Sequence, residues 1–239
     1  MRILARCRPS LVALAVFFWS CAREPTRPLE YVELTHGVSP SAWLPLLVAL
    51  HGRGGAPERF AQTFSQLPLA ARVLALRAPI SEGNGGAWFV FHRGFDHALL
   101  QLHAAVPRVL ATLEHYTANH HTLGRPVVVG FSQGAMLVYQ LAIDHPQAFA
   151  AVFPVAGVEL GRLPSQLPLG FPVLHAFHGG RDEVIPCDAE ANTVATLQRL
   201  GAHAQLTRIE DAPHWITPEM RAQLLVAIGQ ALRAESSRQ

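Results

Sequence analysis

The sequence predicts an α/β fold: a mostly parallel sheet covered by helices on both faces, with no separate lid domain. Short apolar runs alternate with longer stretches of helical character along most of the 239 residues. Several apolar runs are continuous rather than alternating, as strands buried on both sides require. Half of the residues are hydrophobic and 15% are charged, enough for one core without metal or disulfide staples.

The elements follow in order. Tyr31 to Thr35 is short and mixed, an edge strand. Leu44 to Leu50 is the first clear apolar strand, and Arg72 to Ala78 is a second strand. Between them, Pro57 to Leu67 opens with Pro, whose missing N–H costs nothing at a first helical position. Asp96 to Asn119 is a long helix opened by an acidic residue. Pro126 to Gly130 is a β-branched strand running directly into the helix Gln133 to Asp144. Strands at Ala150 to Val155 and Pro172 to Phe177, a helix from Asp188 to Leu200, a strand at Ala204 to Ile209 and a helix from Pro218 to Leu232 complete the chain.

Residues 1–22 have the layout of a signal peptide: Arg2, Arg6 and Arg8, an apolar run from Leu11 to Trp19, then small residues at Ser20 and Ala22. The run is about half the roughly 20 residues a spanning helix needs. Phe18-Trp-Ser-Cys21 partly matches a lipoprotein box, so two routes stay open: lipidation of Cys21, or ordinary cleavage after Ala22. Either way the protein is expected to be exported, lipid-anchored in a bacterial envelope or secreted. Residues 23–30 read as a tether and 31–239 as the domain. Cys187 then stands alone in the mature chain as a small buried filler, and no intramolecular disulfide is possible.

Removing three arginines takes the formal charge from +2 to about −1, which leaves nucleic-acid binding without an electrostatic basis. Every basic residue is Arg and none is Lys, so Schiff-base chemistry is excluded. No phosphate-binding or dinucleotide motif occurs. His115, His120 and His121 lack partners at ligand spacing, and neither metal nor cofactor is expected.

The strongest motif is Gly130-Phe-Ser132-Gln-Gly134, G-x-S-x-G between a β-branched strand and a helix. A nucleophile there sits on a sharp turn where side chains at the two glycines would collide with strand and helix. The following helix N-terminus favours developing negative charge. A base and an acid should follow in the order acid, then histidine. Of the other later histidines, His145 follows a helix and precedes Pro146, His175 lies inside a strand, His178 ends that strand, and His203 is a further candidate. His214, in Asp211-Ala-Pro-His-Trp, occupies the loop between the last strand and the last helix. Asp182 follows the Gly-rich turn His178-Gly-Gly-Arg at the carboxyl end of a strand, with Glu183, Asp188 and Asp211 as rivals. Leu50-His-Gly-Arg53-Gly-Gly55 can bare backbone N–H groups; Arg53 and Gln133 are the expected oxyanion donors.

Together with Arg77-Ala-Pro, Ala87-Trp88-Phe89, Val184-Ile-Pro186 and Pro213-His214, these motifs resemble α/β-hydrolases, and within them the phospholipase/carboxylesterase family that includes acyl-protein thioesterases. The resemblance covers roughly residues 46–225. It implies Ser132, Asp182 and His214 as a triad, Arg53 and Gln133 as oxyanion donors, and Trp88 beside the acyl site. Arg53 and the segment Ser81 to Asp96 depart from the family pattern, which makes protein deacylation doubtful. Trp88, Phe89, Phe91 and Phe95 are expected to wall a shallow apolar acyl site.

The expected function is hydrolysis of small-molecule carboxylic esters or thioesters, with short acyl groups preferred, through an acyl-enzyme. A polyester depolymerase or feruloyl-type esterase would share every one of these residues and differ in its loops. A reading of another class is an anchored binding protein that has lost turnover.

Overall fold

The computed structural model describes residues 26–35, 39 and 41–237. The signal, Cys21 and the start of the tether lie outside these residues.

The elements are β1 (Tyr31–Thr35), β2 (Leu44–Leu50), α1 (Pro57–Gln62), β3 (Arg72–Leu76), β4 (Ile80–Glu82), β5 (Gly85–Ala87), α2 (Phe95–Asn119), β6 (Thr122–Phe131), α3 (Gln133–Asp144), β7 (Ala151–Val155), β8 (Val173–Gly179), α4 (Cys187–Arg199), β9 (Ala204–Ile209) and α5 (Pro218–Ser236). Seven strands form the main sheet in the order β1-β3-β2-β6-β7-β8-β9, with β1 antiparallel to β3 and all other pairs parallel. Among the described residues, no additional α-helix is inserted between the strands as a lid.

The period of two along each strand divides the core. Leu46, Val48 and Leu50 of β2 point to one face with Leu74 and Leu76 of β3, where α2, α3 and α4 pack. Leu47 and Ala49 point to the other with Val73 and Ala75, against α1 and α5. All seven residues of β2 are buried, the reason for its unbroken apolar sequence.

The chain first builds the sheet outward from β2 to β3, then returns to place β6 on the other side of β2. At such a reversal the connections leave the carboxyl ends in opposite directions and open a crevice. Leu50 of β2 and Gly130 of β6 lie in register at this edge, so His51-Gly-Arg53 and Ser132 emerge side by side.

The two-stranded β4–β5 hairpin was not anticipated from sequence. Its three-residue strands lie around Gly83-Asn-Gly-Gly86, too short and glycine-rich to show a period. α1 ends at Gln62 rather than Leu67; turns at Thr63, Phe64 and Ser65 follow it.

Candidate active site

Ser132 occupies the turn between β6 and α3 with φ 53° and ψ −115°. A non-glycine residue in this region costs on the order of 1–3 kcal/mol and persists only where its surroundings fix it. Here the Ser132 N–H donates to the Val155 carbonyl at 2.9 Å, and its own carbonyl accepts from Met136 N–H at 3.1 Å. The flanking glycines are steric necessities. A Cβ on Gly130 would lie 2.2 Å from the Gly134 carbonyl oxygen, and one on Gly134 would lie 2.0 Å from that of Leu50.

His214 Nε2 is 3.0 Å from Ser132 Oγ, and His214 Nδ1 is 2.6 Å from Asp182 Oδ2. These residues come from the ends of β6, β9 and β8, three connections that converge on one edge of the sheet. The other Asp182 oxygen accepts from the N–H groups of Val184 and Ile185 at 2.9 and 2.8 Å. Burial would raise the Asp182 carboxyl, but the Ile185 amide, His214 and the Val184 amide outweigh it and hold its pKa below the usual aspartate value. An ionised Asp182 accepting Nδ1–H leaves Nε2 free to accept from the serine hydroxyl. Among the rivals, Asp211 is exposed and pairs with Arg181, while Asp188 is exposed at the start of α4. Glu183 is exposed as well.

The two oxyanion candidates flank the serine. Gln133 opens α3, where a first-turn N–H has no intrahelical acceptor. Arg53 lies in a turn fixed at its far end: Gly54 N–H donates to Gly86 O, and Gly86 N–H donates to Gly55 O, each at 2.9 Å. The β4–β5 hairpin is therefore the brace of this turn. Its close approach requires glycine, since a Cβ on Gly85 would lie 2.3 Å from the Gly54 and Gly55 carbonyl oxygens. Below the turn, His51 Nδ1 donates to Gly52 O at 2.8 Å and Nε2 accepts from Ala78 N–H at 3.2 Å. The bond accepted by Nε2 demands the neutral ring, and burial, though opposed by the Gly52 bond, lowers the His51 pKa to match.

The expectation that Trp88 and Phe89 face the substrate is corrected: both side chains are fully buried. The Trp88 indole N–H donates to His51 O at 2.7 Å, its backbone N–H donates to Gln133 Oε1 at 3.1 Å, and the Gln133 amide donates to Phe89 O at 2.9 Å. They are thus the floor that ties the glycine turn to α3. Phe91 and Phe95 are half exposed. A cleft of about 710 Å³ adjoins the serine turn through Gly52 and Phe131; Phe60, Trp215 and Ile216 are its other large apolar walls, and Ser132 and His214 themselves do not line it. The Phe131 ring centre is 5.1 Å from that of His214.

His178 is more than the end of a strand, and Glu190 escaped the sequence reading altogether. Both are fully buried behind Asp182. His178 Nε2 donates to Ile185 O at 2.8 Å and lies 3.2 Å from Asp182 Oδ2; Nδ1 lies 2.5 Å from Glu190, which also accepts from the Tyr139 hydroxyl at 2.8 Å. Burial raises Glu190 to about 7 against the pull of the His178 and Tyr139 bonds. The His–Glu pair shares one proton and carries no net charge whichever partner holds it. It supports the loop that delivers Asp182. The only signal in the sequence was an acidic residue in the first turn of α4, where solvation by water is the ordinary reading.

Comparison with known proteins agrees with this architecture. Residues 40–228 match the model of the Phospholipase/Carboxylesterase family. NocK of Nocardia uniformis subsp. tsuyamanensis is 30% identical over 164 residues, which are 66% of this chain and 45% of that protein; the chain thus spans less than half of this curated relative. The solved structure of esterase PE8 superposes with a TM-score of 0.72 at 22% identity, covering 86% of this chain and all of that one. The Bacillus cereus carboxylesterase gives 0.68 at 18% identity, covering 85% and 94%, and a carboxylesterase from Mesorhizobium loti gives 0.66 at 21%, covering 85% and 98%. At these identities the structures speak for a shared fold, while the family match covers most of the domain. The chain belongs to the phospholipase/carboxylesterase family of α/β-hydrolases.

Proposed function

We propose that the protein is a serine hydrolase that cleaves small-molecule carboxylic esters or thioesters through an acyl-enzyme on Ser132. The observation that carries this is the continuous chain from Ser132 Oγ through both His214 nitrogens to Asp182, at 3.0 and 2.6 Å. His214 Nε2 takes the hydroxyl proton as Ser132 Oγ bonds to the acyl carbon. The tetrahedral oxyanion forms against the N–H groups of Arg53 and Gln133. His214 then protonates the departing alcohol or thiol, and the acyl–oxygen bond to the serine remains. Water, deprotonated by the same nitrogen, attacks that acyl group; the carboxylic acid leaves and Ser132 recovers its proton. No step needs a metal or cofactor.

An open cleft without a helical cap favours short acyl groups, because each buried methylene gains about 0.8 kcal/mol only while apolar wall remains to cover it. The family to which the chain belongs supports ester chemistry, and NocK and the solved relatives do not narrow it. Residues 1–22 support export, by lipidation of Cys21 or by ordinary secretion. The test is turnover of para-nitrophenyl acetate, butyrate and octanoate by the domain from Leu29 onward. Hydrolysis abolished by Ser132→Ala supports the reading; a purified, folded domain that turns over none of them, nor the corresponding thioesters, refutes it.

A further inference from the structure

The cleft beside Ser132 combines apolar walls with an unusual charge. Arg53, Arg59 and Arg221 line it, and no Asp or Glu does. They arrive from separate elements: the oxyanion turn, α1 and the first turns of α5. Among the described residues neither Arg59 nor Arg221 has an ion-pair partner. Arg53 has one acidic neighbour, Glu82 at 3.9 Å, the arginine largely and the glutamate partly exposed, a separation and setting that neutralise little. Of the other nearby acids, Glu58 is engaged by Arg77, and Glu219 is exposed and does not line the cleft.

This positive charge is local. The domain as a whole is near neutral, so the three guanidinium groups do not reflect a general basic surface. Apolar walls concentrate the field of such groups within a cleft. Solvated surface arginines normally need no partner, but these three line a cleft that also holds Gly52, Phe131 and Trp215, neighbours of Ser132 and His214. The Gly52 backbone and the Phe131 ring belong to both the cleft and the serine's surroundings: a Cβ on Gly52 would lie 2.9 Å from Phe131 Cδ1 and 3.3 Å from Ser132 Cβ.

We infer that the cleft selects anionic esters: substrates with an apolar body and a carboxylate a few bonds from the scissile carbonyl, held by Arg59 and Arg221 with Arg53 at the mouth. This rests on the ester-hydrolase reading and adds the substrate class. The carboxylate can belong to the acyl portion or to the leaving alcohol, and matched esters tell these apart.

The experiment compares kcat/KM for two pairs: the mono-para-nitrophenyl ester of adipic acid against para-nitrophenyl hexanoate, and para-carboxyphenyl butyrate against para-methylphenyl butyrate. Each pair is measured on the wild type, on the Arg59→Gln/Arg221→Gln double variant, and on Arg199→Gln, which makes one such charge change on α4 outside the cleft. The proposal expects the anionic member to be preferred in at least one pair. That preference should fall about five- to tenfold in the double variant, and also on raising salt from about 0.01 to about 0.3 M, while Arg199→Gln leaves it within about twofold. The pair that shows the effect identifies the side carrying the carboxylate. Equal or better turnover of the neutral member in both pairs overturns the proposal while leaving the esterase reading intact. So does a preference that survives the double substitution. Absence of turnover on all four esters overturns the esterase reading and this proposal with it.

Discussion

Replacing His178 by alanine tests whether the buried pair behind Asp182 supports the site. The substitution removes the donor to Ile185 O and the proton-sharing partner of Glu190, both in buried surroundings. An unsatisfied buried carbonyl costs about 1–3 kcal/mol, and breaking a buried ionisable pair by removing one partner about 3–5 kcal/mol. The two overlap, so the expected loss is about 3–5 kcal/mol at alkaline pH, a fall in Tm of roughly 6–20 °C for a domain of this size. The loss has a pH dependence of known sign. Glu190, already raised to about 7 by burial, loses the His178 bond that lowers it. Its folded pKa then exceeds the unfolded value of about 4.3, so its contribution to stability is complete below that value and lost as pH rises through the folded pKa. The deficit in Tm should therefore be smaller at pH 6 than at pH 8.5. Differential scanning calorimetry across that range reads it, and kcat measured at low temperature shows whether Asp182 has moved. A variant within about 2 °C of wild type at both pH values, with unchanged kcat, would refute the reasoning.

Four further outcomes are expected. Asp182→Asn should lower kcat by roughly 10⁴ by leaving His214 in the wrong tautomer, whereas Glu183→Gln should stay within about tenfold; kinetics on one ester ranks them. The same Asp182 substitution should flatten the acid limb of stability, because a carboxyl held below its unfolded pKa of about 4 contributes above that value and is lost as pH falls through the folded one. On acyl length, kcat/KM should rise over the first few carbons and fall beyond about eight, each methylene adding at most about 0.8 kcal/mol; a rise continuing to palmitoyl esters would contradict the open cleft. For export, full-length protein made in a bacterium should partition with membranes and Cys21→Ser should release it or stall processing; a mature N-terminus at Arg23 would show ordinary secretion instead.

Much of this was legible because the informative features are local. β2, β9 and α3 have the boundaries expected from their apolar runs, and the serine turn announces itself through Gly130 and Gly134, whose missing side chains are required by contacts below 2.5 Å. Asp182 and His214 could be ranked because strand ends in such a sheet converge. What escaped depends on contacts between distant segments. The β4–β5 hairpin is held by bonds to the Gly54–Gly55 turn rather than by any strand period of its own. Trp88 and Phe89 look alike in sequence whether they wall a cleft or lie under it, and only the bonds to His51 and Gln133 decide. Glu190 was invisible because nothing in its neighbourhood along the chain signals that α4 turns it inward onto His178.

The central claim is that Ser132 is the nucleophile, and covalent labelling with peptide mapping addresses it most directly. Wild-type protein treated with a fluorophosphonate should gain one adduct, located by fragmentation on Ser132 of the peptide containing Gly130-Phe-Ser-Gln-Gly134, with Ser132→Ala unlabelled and His214→Ala labelled far more slowly. An adduct on any other serine, or labelling of Ser132→Ala at the wild-type rate, would contradict it.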